Sequence, residues 1–192
     1  MFNDCSCLTS LDVSNFNTSN VTNMRSMFQN CTNLTSLDVS NFNTSNVTNM
    51  NSMFYNCHSL TSLDVSSFDT SKVIEMNQMF FDNNFTSLDL SNFDTSNVIT
   101  IGGMFGNCVG LTSLDLSNFN TNKITSMDFM FAYCRSLTSL DLSGWDMTNV
   151  TSTNYMFDGC SQLTTIRMVG CNTDTINKIK EVKPSTATII TE

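Results

Sequence analysis

The sequence predicts an α/β solenoid, in which stacked repeats place parallel strands on one face and short helices on the other. Three observations predict this class: a motif that recurs at a fixed period, an alternating apolar pattern inside the motif, and a helical pattern after it. The motif Leu-Thr-Ser-Leu-Asp-Val-Ser occupies 8–14, 34–40 and 60–66, and recurs with Leu in its sixth position at 111–117 and 137–143. A variant at 85–91 begins one residue early, and a degenerate copy begins at Leu163.

Each repeat combines two periodicities. In the copy at 34–59, Leu37 and Val39 alternate with polar residues, which predicts a strand with one buried face. The apolar residues that follow are spaced as on one face of a helix. They are Val47, Met50, Met53, Phe54 and Cys57. Between the two patterns, 43–45 reads Asn-Thr-Ser, which suits a helix N-cap, and Asp69 and Asp94 hold the Asn43 position in later copies.

Apolar residues also recur in register from copy to copy, in columns that predict one continuous core. One repeat cannot bury its own apolar side, whereas stacked repeats can. The clearest columns are Leu11, Leu37, Leu63, Leu88, Leu114, Leu140 and Ile166; Phe16, Phe42, Phe68, Phe93, Phe119 and Trp145; and six adjacent Met-Phe pairs from Met27-Phe28 to Met156-Phe157. We therefore expect Leu63, Phe68 and Met79 to be buried.

Six of the eight cysteines fall in one further column, which begins with Cys5 and Cys31. A disulfide needs Cα atoms within roughly 7 Å, and copies of one column are a full stacking step apart. We therefore expect free, buried thiols that behave as small apolar side chains. There is no C-x-x-C pair and His58 has no partner histidine, so we predict no metal site.

The ends of the chain depart from the repeat. Met1–Cys5 matches 27–31 in register, so we expect a truncated N-terminal repeat, with 1–171 forming a solenoid of about seven strands. Residues 172–192 are predicted to form a C-terminal cap in the same folding unit. Its helix is capped by Asp174 or Thr175 and ends before Pro184, and a last strand covers 187–191. Lys178, Lys180 and Lys183 are expected on or near the exposed side of this helix.

The outward strand positions carry the candidate site. Ladders of Ser and Asp run down the stack, and we assign partner binding to Asp38, Asp64, Asp89, Asp115, Asp141, Ser62, Ser87 and Ser113. Two interpretations stay open: solvated positions that keep the sheet soluble, or a concave surface for a basic protein, a glycan or Ca²⁺. One carboxylate per strand is a poor Ca²⁺ cage. If mutual repulsion is the only effect of these carboxylates, replacing Asp64, Asp89 and Asp115 with Asn raises thermal stability.

The composition and the missing motifs exclude several classes of function. A net charge of −9 argues against binding to nucleic acid phosphates. No apolar run is long enough for a transmembrane helix, and no signal peptide is present. There is no Ser-His-Asp set, Cys-His pair, Gly-rich phosphate loop or zinc motif, and the single His removes the usual general acid-base residue. We therefore predict no enzyme, no catalytic residues and no cofactor.

The recurring pattern L-T-S-L-D-[VL]-S-x-F-[ND]-T-S-x-V-x-x-M-x-x-M-F-x-x-C resembles the BspA-like class of leucine-rich repeats over residues 1–171. Residues 80–85 lose one position and the Cys, and the last copy replaces Asp with Arg167 and Phe with Cys171. The resemblance implies a right-handed curved solenoid that is extracellular or on a cell surface, where it contributes to adhesion or host contact.

The leading hypothesis is a monomeric, non-enzymatic binding or adhesion module for a protein or glycan, such as a host surface or matrix component. The alternatives are a structural spacer or stalk that presents another domain, or a phage or secreted receptor-binding component. Nearly invariant Ser and Asp positions favour a spacer or a repetitive ligand. Differences between repeats concentrate on the flank after the strand, which is an equally good place for a specific site. Its aromatic residues are Tyr55, Phe81, Phe129, Tyr133 and Tyr155.

Overall fold

The structure, a computed structural model, describes all 192 residues and contains four short strands and one helix. In chain order these are β1 (Ser113–Asp115), β2 (Ser139–Asp141), β3 (Thr165–Arg167), α1 (Thr173–Val182) and β4 (Thr188–Ile190). The strands form one parallel sheet in the order β1-β2-β3-β4. Its central residues Leu114, Leu140 and Ile166 pair in register along the predicted leucine column, and Ile189 of the C-terminal strand extends it.

The prediction of about seven strands is wrong. The copies of the motif at 8–14, 34–40, 60–66 and 85–91 contain no strand. Backbone N–H groups at 36–39, 62–65 and 87–90 donate no hydrogen bond to the protein. Sheet pairing can be omitted here because this face of the molecule is open, so that water can satisfy the backbone groups.

The predicted helix in each repeat is also absent. We call 48–57 and its equivalents the turn segment. Its N–H groups alternate between two kinds of partner: the N–H of Phe54 donates to Met79 O of the next repeat at 3.0 Å, whereas the N–H of Met53 donates to Met50 O within the turn at 3.2 Å. Ser52 and Asn56 have φ values of 56° and 55°. An α-helix tolerates neither the left-handed residues nor the diversion of every second donor.

The apolar residues whose spacing predicted a helix therefore lie in consecutive turns instead. The turn segments of neighbouring repeats are joined by parallel bridges, which link Asn23, Asn49, Glu75, Thr100, Ser126 and Ser152 in one row. This row runs through every repeat, including those whose strand segments are unpaired. The backbone contact between repeats is thus continuous on the turn side and partial on the strand side.

The predicted core columns are confirmed. Leu63, Phe68 and Met79 are 9%, 3% and 0% exposed, and 52 buried apolar residues form one cluster. The phenylalanines of the Met-Phe pairs stack along the molecule: Phe28 and Phe54 have ring centroids 5.6 Å apart, and Phe54 and Phe80 are 5.9 Å apart. Near-parallel rings at this separation add to the burial energy.

Buried threonines link the repeats between strand and turn. Thr44, Thr70, Thr95 and Thr121 are each 1% exposed. The hydroxyl of Thr95 donates to Asn120 O at 3.1 Å and accepts from Asn120 N at 2.8 Å. The predicted N-cap role of 43–45 is wrong, because no helix follows. Instead Asn43 Oδ1 accepts hydrogen bonds from the backbone N and the hydroxyl of Ser45, which closes a local turn.

Five of the six column cysteines are buried as predicted, Cys5 is half-buried, and all eight cysteines are free. Each of the five buried thiols donates to a phenylalanine carbonyl of the preceding repeat, as Cys57 Sγ does to Phe28 O at 3.0 Å. Burial raises the pKa of Cys57 and of Cys108 to about 12, which keeps both thiols protonated. In the shortened repeat Asn83 holds this position and donates to Phe54 O at 2.8 Å, but its buried Oδ1 has no partner.

The C-terminal helix and last strand form as predicted, with two corrections. The N-cap of α1 is Asn172, whose side chain accepts from Thr175 N at 2.8 Å, and neither Asp174 nor Thr175 is the cap. Thr175 is instead buried and its hydroxyl accepts from Met147 N. Lys178 is not a free surface charge, because its Nζ donates to Met147 O and Val150 O, both at 2.7 Å.

Replacing Thr95 with Val should destabilise the fold by about 2 kcal/mol, because both backbone groups of Asn120 would lose their partner in a buried position. Urea unfolding followed by circular dichroism measures this change. The control is Thr112→Val, at an exposed position whose side chain makes no hydrogen bond. Equal effects of the two substitutions would contradict a structural role for the buried hydroxyl.

Replacing Asn83 with Cys should stabilise the fold by about 1 kcal/mol or more, since the thiol can donate to Phe54 O and leaves no unpaired carbonyl oxygen in the core. The reciprocal change, Cys57→Asn, buries such an oxygen and should be destabilising. Denaturant midpoints compare the two variants. A lower midpoint for Asn83→Cys would show that the shortened repeat cannot accept the thiol geometry.

Candidate functional site

The aspartates of the strand segments all make the same local contact. In each of the six copies Asp Oδ1 accepts the backbone N–H of the Ser two residues later. The donors are Ser14, Ser40, Ser66, Ser91, Ser117 and Ser143, at 2.9 to 3.0 Å. The aspartates therefore close the turn after the strand segment, a role that requires no ligand.

These hydrogen bonds favour the ionised form of Asp38 and Asp64. Hydrogen bonds from Ser40 lower the pKa of Asp38, and those from Ser66 lower the pKa of Asp64. Repulsion from Asp64 opposes the shift at Asp38 but is the smallest of its causes. Local hydrogen bonding thus outweighs repulsion between repeats, and the carboxylates are ionised at neutral pH.

The predicted site residues divide among three depressions on the strand face. The largest has a volume of about 780 Å³ and spans the first three copies, from Ser10 to Asp64. We call it the strand groove. It brings together Asp38, Asp64 and Ser62, with Leu37 and Leu63 in its floor. The groove lies over three of the four copies whose strand segments are unpaired.

The other site residues lie further along the same face. Asp89 and Asp115 border a depression of about 180 Å³. Ser113, Asp115 and Asp141 border one of about 400 Å³. Asp141 also forms an ion pair with Arg167, with Nε and Oδ2 3.4 Å apart, which ends the run of aspartates. Ser87 is exposed but lines none of these depressions.

Metal-ligating residues do not come together anywhere in the structure: no three His, Cys, Asp or Glu side chains form a group that could hold an ion. His58 is exposed, and its Nδ1 lies 2.8 Å from Asn56 Oδ1. The aspartates are separated by whole repeats, and each already has a local hydrogen-bond donor.

The flank of turn segments carries the exposed aromatic residues. Tyr55 stacks on Phe81 with ring centroids 5.1 Å apart, and Phe129 stacks on Tyr155 at 5.0 Å. Phe129, Tyr133 and Tyr155 are 44%, 41% and 64% exposed. Sequence reasoning identified these positions as variable but missed their backbone conformation. The signal was present in the same columns, where other repeats have Ser, Asn or Gly.

A sequence family described as "Mycoplasma protein of unknown function, DUF285" matches residues 1–112 and 81–186. The chain belongs to this family. The two matches overlap and together cover nearly all of the repeats. No curated protein shows a significant match.

Two solved structures are similar to this chain. A leucine-rich repeat protein from Bacteroides ovatus shares 16% identity over 86% of this chain and 56% of its own, with a TM-score of 0.38. The functional domain of InlJ from Listeria monocytogenes, described as including a cysteine ladder, shares 20% identity over 86% of this chain and 45% of its own, with a TM-score of 0.27. The chain thus spans about half the length of each.

The structure contains no helix that could cross a membrane, since α1, with 10 residues, is far shorter than a bilayer-spanning segment.

The lowered pKa values predict a specific response to acid. A carboxyl group whose pKa is lower in the folded chain contributes stability above its unfolded value, near 3.8, and this contribution is lost as the pH falls through the folded value. The thermal unfolding midpoint should therefore decrease between about pH 5 and 2. Asp64, Asp89 and Asp115 all have lowered pKa values, so a variant with Asn at these positions should show a smaller decrease.

Thermal melts followed by circular dichroism at matched ionic strength make this measurement. If repulsion between carboxylates dominated, acidification would raise the midpoint and the triple Asn variant would be more stable than the native chain at pH 7. That result would contradict the hydrogen-bond interpretation.

Proposed function

We propose that this chain is a non-enzymatic, surface-exposed binding or adhesion module that recognises a protein or glycan through the strand groove. The observation that carries this proposal is the combination, in one depression, of ionised carboxylates, unpaired backbone N–H groups and an apolar floor. Ligand sites typically pair apolar walls with a few placed polar groups.

The polar groups of the strand groove suit a neutral or basic ligand rich in hydrogen-bonding groups. Asp38 Oδ1 is used by Ser40, and the carboxylate keeps further acceptor capacity. The N–H groups of residues 36–38 and 62–64, which line the groove, donate to no protein group and supply donors there. A sugar hydroxyl or a peptide amide, each both donor and acceptor, can use both kinds of group.

The ligand should be extended and repetitive. The same Asp and Ser recur every 25 or 26 residues along the face, so neighbouring repeats offer nearly identical contacts. The hydrogen-bonded, side-by-side repeats support a right-handed solenoid with a concave binding surface, and stacks of this kind present long surfaces to their partners. We propose a monomer located outside the cell or on its surface, with a host surface or matrix component as partner.

The proposal of a non-enzyme rests on the equivalence of the carboxylates. Acid-base catalysis by two carboxyl groups requires environments that move their pKa values apart. Here the pKa values of Asp12, Asp38, Asp64, Asp89 and Asp115 are all shifted downward, by the same Ser contact. None of these five carboxyl groups is prepared to act as an acid.

A structural spacer or stalk is the second candidate, and one observation favours it. The Asp-to-Ser hydrogen bond explains the repeated aspartates without any ligand, because each of them closes its own turn. A spacer would keep the same residues for stability alone, so the two functions differ in whether the strand groove binds anything.

A binding screen of the whole chain against immobilised matrix proteins and a glycan array tests the proposal. Asp38→Asn with Asp64→Asn should weaken binding to any ligand found by about tenfold or more, because two charged contacts are lost. The matched control is Asp69→Asn with Asp94→Asn. These aspartates make the same Ser contacts, lie outside the strand groove and change the net charge equally.

Equal binding by the two double variants would place the ligand elsewhere and reject the strand groove as the site. A native chain that binds nothing in the screen, while remaining folded, would favour the spacer.

A further inference from the structure

Three aromatic residues on the flank occupy a backbone conformation that suits other residues better. Phe129, Tyr133 and Tyr155 have φ values of 58°, 62° and 56°. Left-handed backbone is costly for bulky side chains, and such outliers cluster at functional sites. The equivalent positions in the other repeats hold Ser26, Ser52, Gln78 and Gly103 in one column, and Asn30, Asn56, Asp82, Asn107 and Gly159 in the other.

The core does not require these aromatic side chains. Their exposed fractions are 44%, 41% and 64%, and the stacking of Phe129 on Tyr155 leaves a broad ring surface facing solvent. The column cysteines and the Met-Phe pairs bury the same turn segments in repeats that have Ser, Asn or Gly at these positions. The chain thus places exposed aromatic rings at positions where the backbone conformation is unfavourable for them.

The rings are held in place. Gly159 lies directly beneath Tyr133, since a Cβ at Gly159 would fall 2.5 Å from Tyr133 Cδ1. The backbone N–H of Tyr133 donates to Asp158 O at 2.6 Å, and the nearby Asp158 carboxylate raises the pKa of the Tyr133 hydroxyl. Rigid tyrosines offer a large amphipathic contact area at low entropic cost.

A second depression adjoins the rings. It has a volume of about 620 Å³ and lies between the last repeat and the C-terminal cap. Tyr155, Asp158 and Gly159 form one side, and Val182, Pro184 and Thr186 form the other. A partner that covers Tyr155 can therefore extend into this open depression.

The charge around the rings selects the partner. Asp128 precedes Phe129, and Asp158 lies beside Tyr133, whereas Arg135 is the cation close to Tyr133. The whole chain carries a net charge of −9, which attracts basic partners and repels a second copy. Arg and Lys side chains bind aromatic faces through cation–π contacts.

We propose that Phe129, Tyr133, Tyr155 and Asp158 form a docking site for a basic segment of a protein partner, with an Arg or Lys side chain against the aromatic rings. The inference rests on the proposed function as a binding module and assigns it a second site of stated chemistry, separate from the strand groove.

The test uses three fluorescein-labelled eight-residue peptides of alternating Gly-Arg, Gly-Glu and Gly-Ser, with binding to the whole chain measured by fluorescence anisotropy. The variant combines Phe129→Ser, Tyr133→Asn and Tyr155→Ser, which are residues found in the same columns of other repeats. It keeps the net charge of the native chain. Binding of the Gly-Arg peptide should weaken by about tenfold or more, while the thermal midpoint is unchanged or higher.

Tyr55→Gln is the matched control, because Gln29 holds that column and the Tyr55–Phe81 stack lies on the same flank. It should bind the Gly-Arg peptide as the native chain does. If the triple variant loses stability, the single change Tyr133→Asn replaces it, since Asn accepts left-handed backbone readily.

Unchanged binding of the Gly-Arg peptide by the variant would overturn the proposal, because attraction would then come from overall charge alone. Native binding of the Gly-Ser peptide, or of a neutral oligosaccharide, more tightly than the Gly-Arg peptide would also overturn it and indicate a glycan. Neither result affects the strand groove, whose screen depends on Asp38 and Asp64.

Discussion

The backbone hydrogen bonds between neighbouring turn segments are the interaction on which the rest of the structure depends. They form a continuous row of bridges from Asn23 to Ser152, whereas the strand side pairs only near the C-terminus. A single repeat has few backbone hydrogen bonds of its own beyond four-residue turns, so its order derives from its neighbours. The spacing of this row also sets the phenylalanine stack, whose rings are 5.5 to 6.0 Å apart from Phe2 to Phe157.

Local side-chain contacts supply hydrogen-bond partners for backbone groups that this architecture leaves without them. A chain with so little regular secondary structure must find partners for many backbone groups. Asp38 accepts a hydrogen bond from the backbone N–H of Ser40, and Asn43 accepts one from that of Ser45. The hydroxyl of Thr95 bonds both backbone groups of Asn120. The abundance of Ser, Thr and Asn is thus a structural requirement, and a residue repeated in every copy is weak evidence for a ligand site.

Departures from the repeat are more informative about function. The aspartate row is uniform and ends where Arg167 pairs with Asp141. On the flank, by contrast, Phe129, Tyr133 and Tyr155 replace residues that fit the left-handed backbone better, and they remain exposed. We therefore propose different ligands for the two surfaces: a repetitive one along the strand groove, and a localised basic one beside the C-terminal cap.

The sequence by itself determined the repeat, the core columns, the buried thiols and the C-terminal helix and strand, because each follows from periodicity, burial or local stop signals. It did not determine what the segment around Met50 and Met53 forms, since consecutive turns and a helix can both bury apolar residues at this spacing. The tertiary structure decided this, because backbone N–H groups that a helix would use internally donate to carbonyl groups of the next repeat. It also decided that Asp38 and Asp64 share a groove while Asp141 pairs with Arg167, and that the aromatic side chains sit on left-handed backbone. Such features depend on contacts between residues about 25 positions apart, which the pattern within one repeat does not contain.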